Sequence, residues 1–130
     1  MNEIHLYDSL SNQKKKFEPI DLNNIRIYAC GPTVYNYAHI GNARMAIVFD
    51  TFVRLFRYKY SNVTYVSNIT DIDDKIIDAA SQLRVPINEL TKKYTDIYNE
   101  DMSNLNVLPP DIQPKATEYV DAVSYTHLRA

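Results

Sequence analysis

At 130 residues, with 45% hydrophobic and 23% charged residues and a formal net charge of −2, the chain has material for one domain with a real core and lies outside disordered and fibrous compositions. The charge gives no global pull toward nucleic acid, so any such contact would come from a local patch or from elements outside this chain. One cysteine excludes an internal disulfide and fits a reducing, cytoplasmic setting; no run approaches the ~20 apolar residues that span a bilayer, and residues 1–5 lack the apolar core of a signal peptide.

Ile4–Tyr7 and Lys16–Pro19 flank a polar stretch, Asp8–Lys15, that reads as a short hairpin or an irregular lead-in. Lys14, Lys15 and Lys16 form a charge run whose plain reading is a solvated loop, with phosphate binding as the alternative. Ile25–Ala29 is rich in β-formers and is stopped by Cys30, Gly31 and Pro32. From about Ile40 to Phe56, apolar residues follow helical spacing on a broad face, predicting a mostly buried helix. Val63–Ile69 reads as a second strand, ending in Thr70–Lys75, after which Ile76, Ile77, Ala79, Ala80 and Leu83 mark another helix. Strand, long helix, strand, helix is the order of a βαβ unit with parallel strands and a right-handed crossover. Both strand ends then carry their loops to one edge, making residues 30–42 and 70–74 neighbours. Val85 and Pro86 break the pattern. Asn88 is the predicted N-cap of a polar amphipathic helix over about Glu89–Leu105, ended by Leu108–Pro110. Pro114 suits the first turn of a further helix from Lys115. No internal repeat or low-complexity segment is present.

Both glycines and the only cysteine fall between Cys30 and Gly41, at the predicted strand-to-helix turn. Open α/β folds bind ligands there. If the helix begins near His39, then His39 and Asn42 lie side by side on its first turn, and Gly41 leaves no side chain between them. Free N–H groups and the helix dipole point the same way, which suits an anion such as a nucleotide phosphate. The competing reading of His39 is a cap or a packed side chain. Cys30 by itself reads as a buried structural thiol. His5, His39, His127 and the carboxylates supply no paired metal-ligand spacing, so the chain alone does not make a metal site. Thr70–Asp74 could bind Mg²⁺ or a substrate amine, or cap a helix. Capping is the expectation for Asp73 and Asp74, and both readings stay open for Thr70 and Asp71.

Read together, residues 28–35 (YACGPTVY), 38–44 (AHIGNAR), Phe49-Asp50, 68–76 (NITDIDDKI), 108–111 (LPPD) and 114–118 (PKATE) resemble one family, the cysteinyl-tRNA synthetases, from about residue 4 to about residue 120. The resemblance implies an α/β, Rossmann-like class I synthetase domain. It would activate L-cysteine with ATP and Mg²⁺ to cysteinyl-adenylate and transfer cysteine to tRNA(Cys). His39-Ile40-Gly41-Asn42 matches the class I signature with Asn in place of the final His, and His39 and Asn42 would stabilise charge on the phosphates. Gly31, Pro32, Thr33 and Gly41 would join them in binding ATP. Cys30 matches the first of four zinc ligands; Zn²⁺ would discriminate a thiolate from a hydroxyl. Thr70 and Asp71 are candidates for contacting the amino acid.

The resemblance also divides the chain. Residues 1–84 would be the first half of the catalytic domain, 85–120 the start of a helical connecting insertion, and 121–130 a tail without family character. The other zinc ligands, the lysine-rich ATP loop and the anticodon-binding part are not in this sequence. The isolated chain is therefore expected to be an inactive fragment of an otherwise monomeric enzyme, with an exposed sheet edge that favours self-association. Two further readings are a ligase joining cysteine to an amino-sugar, and a non-catalytic nucleotide-binding protein.

Overall fold

The computed structural model describes residues 3–122. Val123–Ala130, and with them His127 and most of the tail, lie outside the described residues. Strands β1 (His5–Asp8) and β2 (Gln13–Lys16) form an antiparallel hairpin with His5 opposite Lys16 and Asp8 opposite Gln13. Asp8 organises its turn, accepting from the Leu10 N–H at 3.1 Å and the Ser11 hydroxyl at 2.6 Å. Asn12 takes the left-handed conformation there (φ 53°), which a short amide side chain tolerates. The hairpin reading therefore holds. The lysine run is solvated, but on a strand, with Lys15 paired to Asp8 and Lys16 to Glu3. Phe17, just after β2, sets its ring edge-on to Phe56, 4.8 Å between centroids, and ties the hairpin to the main body.

Strands β3 (Ile25–Ala29) and β4 (Val63–Ser67) pair in parallel, Ile25 with Val63 through Ala29 with Ser67. Helix α1 (Ile40–Lys59) connects them, giving the expected βαβ order. Its buried residues, Ala43, Ala46, Asp50, Val53 and Phe56, fall three or four apart on a single stripe. That corrects the mostly buried helix expected from sequence: Ile47, Val48 and Leu55 are exposed, because only one side of α1 has a sheet to cover. Ile27, Ala29, Phe49, Val53 and Tyr65 pack between sheet and helix.

Helices α2 (Asp74–Leu83) and α3 (Ile87–Asn104) meet at Arg84, which adopts the left-handed conformation (φ 54°) that ends α2. Leu90, Tyr94, Tyr98 and Met102 recur every four residues along α3 and pack with Ile76 and Ala80 of α2. The same cluster contains Val34, Ala43, Ala46 and Ile69, so residues from both sides of position 85 share one core. Pro86, not Asn88, caps α3, its carbonyl accepting from the Glu89 and Leu90 N–H groups at 3.1 Å each. Proline has no N–H to lose and a φ fixed near that of a helix entrance, so the helix starts earlier than the side-chain cap suggests.

Residues 111–115 run beside β4, with bridges Val66 to Ile112 and Ile69 to Lys115, so Pro114 lies in an extended segment and the helical turn expected from Lys115 begins just after it. Ser67 N–H donates to the Ile112 carbonyl at 3.1 Å and Ile69 N–H to the Pro114 carbonyl at 2.8 Å. A short 3-10 turn, Ala116–Tyr119, follows. The β4 edge is thereby covered rather than open, which removes part of the edge expected to drive self-association. Asp111 secures this segment: its Oδ2 accepts from the Tyr65 N–H at 2.7 Å, and Arg57 Nη2 donates to its Oδ1 at 2.9 Å and its Oδ2 at 2.8 Å. Asp50 does similar work one turn earlier, joining Arg54 to the Leu108 N–H.

Candidate active site

The carboxyl ends of β3 and β4 are drawn together by main-chain bonds: Thr70 N–H to the Pro32 carbonyl at 2.9 Å, and Val34 N–H to the Thr70 carbonyl at 3.2 Å. The two turns are therefore neighbours, as the βαβ reading required. Gly31 lies so close to the second strand end that a Cβ there would sit 1.5 Å from the Asn68 carbonyl oxygen.

His39 is the N-cap of α1. Its Nδ1 accepts from the Gly41 N–H at 3.1 Å, and the Asn42 Oδ1 accepts from the His39 N–H at 3.0 Å. The cap reading and the ligand reading of His39 turn out to be compatible. An imidazole whose Nδ1 accepts carries its proton, when neutral, on Nε2. An amide whose oxygen accepts turns its NH₂ away. The reciprocal cap thus uses the acceptors of both side chains and leaves both sets of donors over, and among the described residues neither His39 Nε2 nor Asn42 Nδ2 has a protein partner. Gly41 beside them has His39 Nδ1 as its nearest neighbour, 3.4 Å from where a Cβ would stand.

His39 and Asn42 border a cavity of about 240 Å³ that is also lined by Pro32, Thr33, Tyr37, Lys75, Tyr94 and Tyr98. Among the described residues no carboxylate lines it. Lys75 holds its ammonium 5.7 Å above the Tyr35 ring, and Tyr37 meets Tyr94 edge-on at 5.4 Å. Sequence reading missed Lys75, Tyr94 and Tyr98. The four-residue repeat on α3 shows that the tyrosines share a face, but not which cavity that face closes. Burial pushes the Tyr98 hydroxyl's pKa up, so it stays protonated through the neutral range.

Cys30, Gly31, Gly41, Thr70 and Asp71 do not line that cavity. Cys30 is exposed, so the buried structural reading of this thiol gives way; its Sγ–H donates to the Gly31 carbonyl at 3.7 Å. Among the described residues no three His, Cys, Asp or Glu side chains gather to hold a metal. Asp73 caps α2 by accepting from the Lys75 N–H at 2.9 Å, as expected. Both carboxylate oxygens of Asp71 are engaged by Thr117, from its N–H at 3.0 Å and its hydroxyl at 2.6 Å. Thr70 Oγ1 accepts from the Asn68 amide at 3.1 Å. Among the described residues no helix is long and apolar enough to cross a membrane.

A parallel strand pair whose first loop opens a helix with free donors defines an α/β domain of the Rossmann-like class. The chain matches the family described as "tRNA synthetases class I (C) catalytic domain" over residues 16–127, and it belongs to that family. It is 54% identical over 118 residues to a cysteine–tRNA ligase of Parvibaculum lavamentivorans, covering 91% of this chain and 25% of the relative. It is 54% identical over 119 residues to one from Finegoldia magna, and 49% over 120 residues to one from Wolbachia pipientis. The chain therefore spans about a quarter of the length of these relatives. Its fold is shared with Mycobacterium tuberculosis methionyl-tRNA synthetase in complex with methionyl-adenylate, at a TM-score of 0.62 and 20% identity over 65% of this chain and 17% of that one.

Proposed function

We propose that the chain forms the first part of the catalytic domain of a cysteine–tRNA ligase, a cytoplasmic, monomeric enzyme of protein biosynthesis. It would activate L-cysteine with Mg²⁺·ATP and pass the cysteinyl group to tRNA(Cys). The observation that carries this reading is the identity of about half of all aligned residues with cysteine–tRNA ligases across 91% of the chain. The geometry of the α1 entrance supports it. When the cysteine carboxylate attacks the α-phosphorus of ATP, negative charge grows on the phosphoryl oxygens and on the departing pyrophosphate. His39 Nε2–H and Asn42 Nδ2–H are neutral donors held in place by their own cap, so they meet that charge without reorganising. Gly41 leaves the approach open, and Pro32 and Thr33 form the adjoining wall. Gly31, which does not line the cavity, would serve the ATP-binding turn indirectly, by letting the two strand ends close.

The amino acid would sit at the strand ends, beside Cys30, Thr70 and Asp71. Cys30 would contribute one ligand to a zinc ion whose others come from outside this sequence, and a zinc-held thiolate would separate cysteine from serine. Pyrophosphate exchange with cysteine and ATP tests the proposal. The complete reading frame past Ala130 should exchange, and the 130-residue chain alone should not. Exchange dependent on an amino acid other than cysteine overturns it.

A further inference from the structure

Asn68 lies one residue beyond β4 and bonds to both turns. Its Oδ1 accepts from the Gly31 N–H at 3.0 Å, and its Nδ2 donates to Thr70 Oγ1 at 3.1 Å. The orientation of this amide has no alternative. A main-chain N–H can only donate, so the oxygen must face Gly31 and the NH₂ must face Thr70. A hydroxyl has one proton and two lone pairs. With one lone pair taken by Asn68, the Thr70 proton is left to be given to something else. The Thr70 main chain is fixed on both sides, its N–H donating to the Pro32 carbonyl and its carbonyl accepting from the Val34 N–H. The main chains of Gly31 and Asn68 are packed too closely for even one added carbon, which keeps the two strand ends side by side. Period-two alternation along β3 and β4 places Cys30, Asn68 and Thr70 on one side of the sheet, away from Ala29 and Tyr65, which face α1.

We infer that Asn68 is a positioning residue for the amino-acid side of the site. It holds Gly31, and so the exposed Cys30 before it, and it directs the Thr70 hydroxyl proton toward a hydrogen-bond acceptor of the amino-acid substrate, its carboxylate or its sulfur. The inference rests on the proposed ligase function.

Asn68→Asp in the full-length enzyme is the test. Aspartate still accepts from the Gly31 N–H, but it also takes the Thr70 proton and turns the hydroxyl inward. KM for cysteine should rise about tenfold, the cost of one hydrogen bond to a charged group, while KM for ATP stays put. Thr70→Val should cost the same by itself and add little to N68D, because both remove one donor. Charge repulsion by the new carboxylate would instead add to the Thr70→Val loss, and that result overturns the inference. So does an unchanged KM for cysteine in N68D, or a parallel rise for ATP. If N68D does not fold, T70V alone carries the test, with the same expected KM split. Inhibition by cysteamine, which has sulfur and no carboxylate, identifies the acceptor: N68D weakens it when sulfur is the acceptor and leaves it unmoved when the carboxylate is. A wild-type full-length protein that fails to exchange pyrophosphate removes the function and this inference together; an active wild type indifferent to N68D removes the inference alone.

Discussion

At Gly31 an added side chain meets the protein itself, 1.5 Å from the Asn68 carbonyl oxygen; at Gly41 the nearest atom is His39 Nδ1, at an ordinary 3.4 Å. The two glycines bracket one turn, yet the first answers to packing and the second to whatever approaches from outside. The same split runs between the two strand-end turns. In the second, Asp71, Asp73 and Asn68 have their polar atoms engaged by Thr117, Lys75, Gly31 and Thr70. In the first, the cap of α1 uses acceptors only and leaves donors over. Carboxylates thus build the scaffold, while His39, Asn42 and the charged Lys75 line the cavity, the reverse of what a glance at the acidic run suggests. A surplus of donors without carboxylates suits a polyanion; the acids, placed elsewhere, do not repel it.

Substitutions can break this comparison. Gly31→Ala should be the most damaging, on the order of 4 kcal/mol, because backbone oxygen rather than a flexible side chain blocks the new carbon. Urea unfolding reads this directly, and a variant as stable as wild type would show that the strand ends can part. His39→Ala should divide stability from activity. Losing the cap costs about 1 kcal/mol of folding free energy, while losing the donor should slow pyrophosphate exchange by the full-length enzyme ~10²–10³-fold. Asp71→Ala should release the segment at Thr117 and cost about 1–2 kcal/mol, visible as faster amide exchange around Lys115–Glu118. Gly41→Ala should go the other way for the fold, gaining roughly 0.5 kcal/mol in helix propensity while raising KM for ATP.

The smallest effect lies outside the site. Bonds from the Ser11 hydroxyl, then Lys15 and the Leu10 N–H, hold the Asp8 carboxyl down to about 2 from an ordinary 3.8. Between those values the unfolded chain binds a proton that the hairpin does not. The contribution of Asp8 is therefore complete above pH 3.8 and fades as pH falls through 2. Amide shifts of Leu10 and Ser11 should titrate with a midpoint near pH 2 and lose the transition in Asp8→Asn.

Sequence by itself determined the βαβ order, because a five-residue β-rich run, a long period-3.6 stripe and a second β-rich run admit few other arrangements. It also determined the start of α1, since His39-Ile40-Gly41-Asn42 carries its cap within four residues, and it marked His39, Asn42, Cys30 and Thr70 as the positions to watch. These are local patterns, readable from near neighbours in the chain. Tertiary structure decided everything that depended on distant partners. The segment after Leu108 became a strand-edge cover because β4 had unpaired main-chain groups that a helix could not satisfy. Tyr94 and Tyr98 became cavity walls because α3 folds back onto α1 and α2. Cys30 came out exposed because strand alternation puts it on the face opposite α1. Asn68 gained its place between Gly31 and Thr70 from a contact 37 residues away in sequence, where local pattern carries no information and only the closing of the two strands does.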